Sequence, residues 1–471
     1  MNQYLKFSYF TTINSLPGIF SIILSLISIP IFLKKLDYGL YGIYLIQHIF
    51  LSLGYIINLG INKLILISSS KKLISKKSDN FTACILTLII SIIFSLIIMV
   101  IMKSVNLFFK FQTLDFLFNI YTFMGLIITS VYITFESIFK SEMKYVYINF
   151  SNFIFFGLSI SLPAFFIFFQ ENFEILNFND ASSELFQISL ICKILSITIL
   201  VFFIKKLNLF QIKISQKFII LFKKNYKSFS ILEFLATTFE YIDRAAVKIF
   251  FGNDNLAIYS TSQQIASKST IFSKAFISYF LPLISKNKQK KNISYLNVYD
   301  KAIFFIFVIG GLGIYIIQPF SDIFFQFWLS EKYLIDFSNI FKILIIAYFF
   351  YTLSIINLSV LESRFETSKI SKIEIIYLFV HIVLLVLLSN QYNPVSIAIV
   401  YLVKEMFFVL LRYFYLNKFY KVRYETFYFL TLFLILNLLN YYYWSPYIYI
   451  TGLIILILNL LYLKKNVFKK I

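Results

Sequence analysis

Cysteine and histidine are almost missing from this chain of 471 residues: two of each, Cys84 and Cys192, His48 and His381. The cysteines stand singly in apolar runs. That excludes a disulfide framework and a CxxC metal or redox site, and each reads as a buried free thiol. The histidines are far apart and fit no zinc motif, so no metal and no cofactor is expected. Charge is scarce too, at 14% of residues, where about 25% is usual. A soluble surface cannot be covered with so little charge, which rules out a soluble enzyme.

What fills the chain instead is apolar side chain. Hydrophobic residues make up 59%, and aromatics 20%, with 60 Phe and 34 Tyr. An all-α polytopic membrane protein is the class left. Apolar stretches long enough to span are expected at 10–33, 40–68, 81–102, 116–139, 147–169, 185–204, 228–251, 257–285, 297–319, 338–361, 373–389, 395–416, 426–443 and 447–463, about 14 transmembrane helices. Unbroken runs lack the alternation of a membrane barrel strand. The first run is long enough to stay in the membrane rather than act as a cleaved signal.

The net charge of +21 would suggest nucleic acid in a soluble chain. Here lysine placement explains it without a nucleic-acid partner. With both termini cytoplasmic, every long inner loop is basic, above all Lys205–Lys227 with Lys206, Lys213, Lys217, Lys223 and Lys224. The outer loops hold only Lys34, Lys35, Lys103, Lys110 and Lys332, and the outer loop 170–184 is acidic.

The long basic loop divides the chain. The expected organisation is an N-terminal lobe of six helices (1–204), a cytoplasmic amphipathic linker (205–227, helical over 209–222), a C-terminal lobe of six helices (228–416), and two trailing helices with a basic tail (417–471). A faint repeat agrees: Gly39-Leu-Tyr-Gly42 and Ala257-Ile-Tyr-Ser260 follow the first helix of each half at a constant offset.

Charges at membrane depth cost roughly 2.5–3.5 kcal/mol each, so their positions inform. Glu233, Thr237, Glu240, Arg244 and Lys248 share one face of span 7, with Asp243 beside it. Glu240 and Arg244 can pair at i, i+4, either as a lock or within a site; Glu233 can cap the inner end. Span 8 adds Tyr259, Gln263, Gln264, Lys268 and Lys274. Span 2 carries Tyr44, His48, Ser52, Tyr55, Asn58 and Asn62 at helical spacing; His48 is an interior hydrogen-bonding residue or a proton-linked one. Span 1 has Asn14, Gly18, Ser21, Ser25 and Ser28, a polar face or a packing stripe. These faces are best satisfied around a shared central cavity holding water. Lys63 and Lys193 read as snorkelling or locally paired. Arg364, Arg412 and Arg423 read as lying at or near the inner face, leaving Arg244 as the deep arginine.

Several stretches carry a resemblance. They are Pro30-Ile-Phe-Leu-Lys-Lys-Leu-Asp-Tyr-Gly-Leu-Tyr-Gly42, Asn58-Leu-Gly-Ile61, Tyr241-Ile-Asp-Arg244, Phe250-Phe-Gly252, Ile258-Tyr-Ser260, Phe280-Leu-Pro-Leu-Ile-Ser285 and Phe327-Trp-Leu-Ser-Glu-Lys-Tyr333. In their order and spacing the chain resembles a Wzx-type O-antigen flippase of the multidrug/oligosaccharidyl-lipid/polysaccharide exporter (MOP) superfamily, with Ser330 where many members have Gly. The resemblance implies two lobes rocking about a central cavity. It implies translocation of an undecaprenyl-diphosphate-linked oligosaccharide, an O-antigen or capsule repeat unit, across the bacterial inner membrane. A polysaccharide polymerase and chain-length regulator are the implied protein partners.

Placed on that resemblance, Arg244, Lys248 and Lys268 would attract the diphosphate and Lys274 would receive it on the inner side. Gln263, Gln264, Tyr55, Tyr259, Asn58 and Asn62 would meet the sugars. Glu240, Asp243 and His48 would couple to H+ or Na+. The rivals are a related lipid-precursor flippase or multidrug exporter, and a membrane polymerase or glycosyltransferase. The last needs a sizeable outer loop with catalytic groups, and none is evident.

Overall fold

In hydrocarbon every backbone N–H and C=O needs an internal partner, which helices supply. The computed structural model describes residues 3–70, 76–109, 120–169, 178–270, 299–300, 303–304, 306–329, 334–363, 367–389, 393–417, 424–442 and 445–468. Their regular structure is helical throughout, and the architecture is an all-helical membrane fold of about 14 helices. Among the described residues nine helical stretches are long and apolar enough to cross a membrane, from Gly18–Lys35 to Pro394–Asn417, and two shorter apolar stretches, Phe429–Tyr441 and Tyr449–Tyr462, fall in the trailing spans. Lys274, the stretch 280–285, Arg364 and Arg423 lie outside the described residues.

The chain forms two compact units. The first comprises Met1–Lys248, Gly252–Ala257 and Thr367–Leu378; the second comprises Ile249–Phe251, Ile258–Glu366 and Phe379–Ile471.

In the first unit, helix α1 (Gln3–Lys35) leads to span 2, which the sequence drew as one helix. It is three: α2 (Asp37–Leu51), α3 (Leu53–Ile57) and α4 (Ile61–Ser70). The second break has a local cause. Leu59 and Gly60 take positive φ values of 50° and 74°, a conformation that needs glycine or costs strain. Helix α5 (Lys76–Phe109) is sided. Leu88, Ile89, Ile92, Ile93, Leu96 and Ile97 are exposed, as lipid-facing residues would be, whereas Thr87, Ser91 and Ser95 are fully buried. Helix α6 is Ile120–Ser141. Span 5 is α7 (Tyr145–Asn152), a π-helical turn (Phe153–Leu158) and α8 (Ser159–Phe169). Tyr132 of α6 stacks on Phe155 in that turn at 3.7 Å. Helix α9 (Phe178–Lys206) closes the first six spans.

The serine stripe of α1 is a packing surface. Ser21, Ser25 and Ser28 are buried. The Ser25 hydroxyl donates to the Ser21 carbonyl (2.6 Å) and Ser28 to Leu24 (2.7 Å), so both are satisfied within α1.

The linker differs from the expected amphipathic helix. Helix starts only at Gln216, opening α10 (Gln216–Lys268). Before it, the backbone is tied to the start of α5: Asn80 Nδ2 donates to the Leu209 carbonyl (3.2 Å), and the Gln211 and Ser215 amides donate to the Lys77 carbonyl (3.2 Å) and Thr82 Oγ1 (2.8 Å). Those bonds use groups a helix would need. Ser215 then caps α10, accepting from the Phe218 amide at 3.2 Å. Helix α10 spans expected helices 7 and 8, bent at Gly252 (φ 85°, ψ −175°), a region open only to glycine.

In the second unit, a π-helical turn (Phe307–Leu312) and α11 (Gly313–Ile317) precede α12 (Ser321–Trp328). Helix α13 (Leu334–Ser363) forms the unit's centre, packed against α15 (Pro394–Asn417); α14 (Thr367–Ser389) lies between them in sequence. The trailing helices α16 (Tyr424–Tyr442) and α17 (Pro446–Phe468) dock here. Phe433 meets Phe349 and Phe429 meets Phe307 at 4.3 Å, and Tyr449 stacks on Tyr315 at 5.4 Å. Such ring pairs each add about 0.5–1.5 kcal/mol beyond the area they bury.

Candidate functional site

The broken span 2 organises the polar groups of the first unit. Asn58, the last residue before the break, is fully buried. Its Nδ2 donates to Thr134 Oγ1 (2.8 Å) and the Ser130 carbonyl (3.2 Å), and Thr134 meets Thr87 at 2.9 Å. Across the break, Asn58 Oδ1 accepts from the Asn62 amide (2.9 Å) and the Leu59 carbonyl accepts from Ser230 (3.0 Å). These bonds answer the backbone and side-chain demand that an interrupted membrane helix creates. Asn62 donates to Glu233 Oε1 (3.1 Å), which Lys63 Nζ approaches at 3.6 Å. Glu233 thus joins α4 to α10, and Lys63 is locally paired.

A second group lies further back on span 2. Tyr55 of α3 is in electrostatic range of Tyr132, Glu136, Glu240 and Tyr241. Glu136 pairs with Lys140 one turn on (2.8 Å) and accepts from Asn152 Nδ2 (3.3 Å); Tyr132 donates to Asn152 Oδ1. On α10 the Arg244 guanidinium sits 5.2 Å from the Tyr241 ring centroid. Glu240, Arg244 and Lys248 are half-buried, and Asp243 is fully buried. The structure therefore gathers Tyr55, Glu240 and Arg244 with Tyr132, Glu136, Asn152 and Tyr241, which the sequence reading did not single out. One available signal was Glu136-to-Lys140 spacing, an i, i+4 pair inside a span. Asn152 gave none, because it meets Glu136 only across the packing of α7 on α6. Chemically the group offers a planar cation that can hold two oxygens at once, phenols and amides for hydroxyls, and carboxylates able to exchange protons.

Of the span 8 residues, Tyr259 and Gln263 are fully buried and Gln264 and Lys268 half-buried, all in the second unit. Ser262 donates to the Phe337 carbonyl at 3.1 Å.

Arg412 is buried against protein: it is 7% exposed, donates to Ser354 Oγ (2.6 Å) and lies 4.9 Å from the Phe408 ring. Lys404 and Glu405 form a buried pair at 3.2 Å, with Lys404 Nζ 3.6 Å from the Tyr401 centroid. Helix α15 lays its own rings, Tyr401 and Phe408, against these charges, and α13 adds the Ser354 hydroxyl. One sequence reading is corrected: Lys193 does not snorkel. It is 6% exposed and 5.4 Å from the Phe155 ring, near the middle of the span Glu184–Lys206.

Among the described residues no group of three or more His, Cys, Asp or Glu is placed to hold a metal ion.

The fold is that of the MOP-superfamily transporters. Over 86% of this chain and 94% of the other it superposes, with a TM-score of 0.64 at 12% identity, on a MOP transporter from Pyrococcus furiosus whose binding pocket has reverse polarity. A Vibrio cholerae MATE transporter matches over 89% of this chain and 99% of its own (TM-score 0.64, 14% identity). An outward-facing multidrug resistance MATE transporter matches over 86% and 94% (TM-score 0.62, 12% identity). No family model matches the sequence. In sequence, 159 residues are 28% identical to a candidate O-antigen transporter of Shigella flexneri, 34% of this chain and 38% of that protein's length. Together they bear out the resemblance drawn above, a MOP-type fold with a stretch of O-antigen-transporter-like sequence, consistent with a Wzx-type flippase. The protein is a multi-pass membrane protein.

Proposed function

We propose that the protein is a flippase. It moves an oligosaccharide linked to a polyprenyl diphosphate, such as an O-antigen or capsule repeat unit, between the leaflets of a bacterial inner membrane by alternating access. A sugar head cannot cross about 30 Å of hydrocarbon unaided, and a polar path open to one side at a time removes that barrier. The observation that carries the reading is Arg244, half-buried on a membrane helix and held over Tyr241 beside Tyr55 and Glu240. A guanidinium so placed suits two diphosphate oxygens, and Lys248 lies one turn on. Glu240 and Asp243 are the groups for a coupling H+ or Na+; one charge moved through 100 mV supplies about 2.3 kcal/mol. Lys268, Lys274, Gln263, Gln264, Tyr259, Asn58 and Asn62 complete the proposed substrate path, and His48 the ion-coupling set. The termini are cytoplasmic in this reading, because the basic loops then face inward.

The MATE-like fold also supports a second reading, export of small drugs. Reconstitution with a fluorescent oligosaccharide-diphospholipid, under imposed proton or sodium gradients, separates them. Leaflet transfer is expected; transfer of cationic dyes with none of the diphospholipid would favour the exporter.

A further inference from the structure

The segment 207–215, which links α9 to α10, leaves apolar side chains bare. Ile212 and Ile214 are 88% and 60% exposed, and Ile220, just inside α10, is 66% exposed. A cluster of uncovered isoleucines marks a surface that meets something other than water. Their exposure is held in place, because Leu209, Gln211 and Ser215 are hydrogen-bonded to Asn80, Lys77 and Thr82 of α5. Lys206, Lys213 and Lys217 are exposed around the isoleucines. On α10 the steps from Lys217 to Ile220 put both on one face, with Phe218 fully buried on another. The stretch 205–227 holds seven lysines and no acid. Asp79, in the first turn of α5, is buried, so it leaves the exposed face basic.

The level of this face in the fold says what covers it. The linker follows directly on Lys206, where the span Glu184–Lys206 ends, and it is bonded to Lys77, where the span Lys77–Ile101 begins. It therefore lies where two helices leave the hydrocarbon. At that level isoleucines can enter the acyl boundary while lysine stems carry their ammonium groups to the phosphates. We infer that this face is a docking surface for anionic phospholipid, with Ile212, Ile214 and Ile220 in the acyl boundary and Lys206, Lys213 and Lys217 on the headgroups. The chain's own basic stretches 286–291 and 464–470, with four lysines each and no acid, are repelled from it by like charge. An acidic protein would answer the lysines, but the membrane level of the isoleucines favours lipid. The surface is separate from the Arg244 group, so it stands or falls without the transport reading.

The test places a maleimide fluorophore on Ile212→Cys in the full chain, reconstituted in vesicles of equal phosphatidylcholine and phosphatidylglycerol. The acyl chains of one lipid or of the other are brominated, so that each quenches in turn. The unaltered chain, with Cys84 and Cys192 only, is the labelling blank. Brominated phosphatidylglycerol should quench about threefold more than brominated phosphatidylcholine, because each lysine at the surface draws anionic lipid. Substituting Lys206→Gln, Lys213→Gln and Lys217→Gln together should bring the two lipids to parity while quenching itself remains. Equal quenching by the two lipids with the lysines in place overturns the anionic assignment. No quenching by either overturns the lipid surface and gives the face to water or to a protein partner. Neither result needs the lysine variant to fold. A preference that survives the triple substitution overturns the part given to these lysines.

Discussion

The carbonyl oxygen of Asn253 packs so closely on Gly42 that a β-carbon at residue 42 would stand 2.4 Å from it. Gly42 lies in α2 and Asn253 directly follows the bend of α10, so the stretches that follow the first helix of each sequence half meet within the first unit. Neither backbone can yield as a side-chain tip would. Gly42→Ala should therefore destabilise by about 1–3 kcal/mol, the usual cost of overpacking. Gly39, whose added β-carbon would meet only Asp254 Oδ1 at 3.2 Å, should tolerate alanine better. Thermal unfolding in detergent compares the two.

Gly60 should be less forgiving still. Its φ is +74°, and a β-carbon would lie 2.3 Å from Phe229 Cβ. Alanine there adds left-handed strain of about 1 kcal/mol to the clash. Gly252→Ala separates the two costs, because Gly252 has φ +85° and open space around it. The expected order of Tm loss puts Gly60→Ala first; equal losses would deny the contact its part.

Arg244→Ala should abolish leaflet transfer while membrane insertion and Tm stay near the starting protein. Arg244→Lys keeps the charge but not the planar fork, so transfer should fall about tenfold. An active alanine variant would remove Arg244 from the mechanism.

Glu405→Ala leaves Lys404 buried without its neighbouring carboxylate. A broken buried pair costs about 3–5 kcal/mol, and a loss of that order is expected in denaturant or thermal unfolding. Ser354→Ala should cost less, about 1–3 kcal/mol, for one unanswered donor of Arg412.

Much of the fold could be read residue by residue. Among the described residues the helical stretches long enough to cross a membrane fall on expected segments, because apolar length is a local property. Where reading failed, the cause was a neighbour. Nothing in 40–68 announces three helices except Asn58 and Gly60, whose polar and conformational needs are met by Thr134 on α6 and Phe229 on α10. Lys193 read as snorkelling or locally paired because its own stretch gives no sign that it is buried against the ring of Phe155.

The amino-acid sequence alone determined that this is a many-helix membrane protein, where its spans run, and that α10 carries a charged face, because hydropathy and helical periodicity are additive along a chain. The tertiary structure alone decided which charges are paired, which are shared and which stand unanswered. Periodicity tells only the side of a helix on which a group lies; its free energy at membrane depth depends on what the opposing helix brings to it.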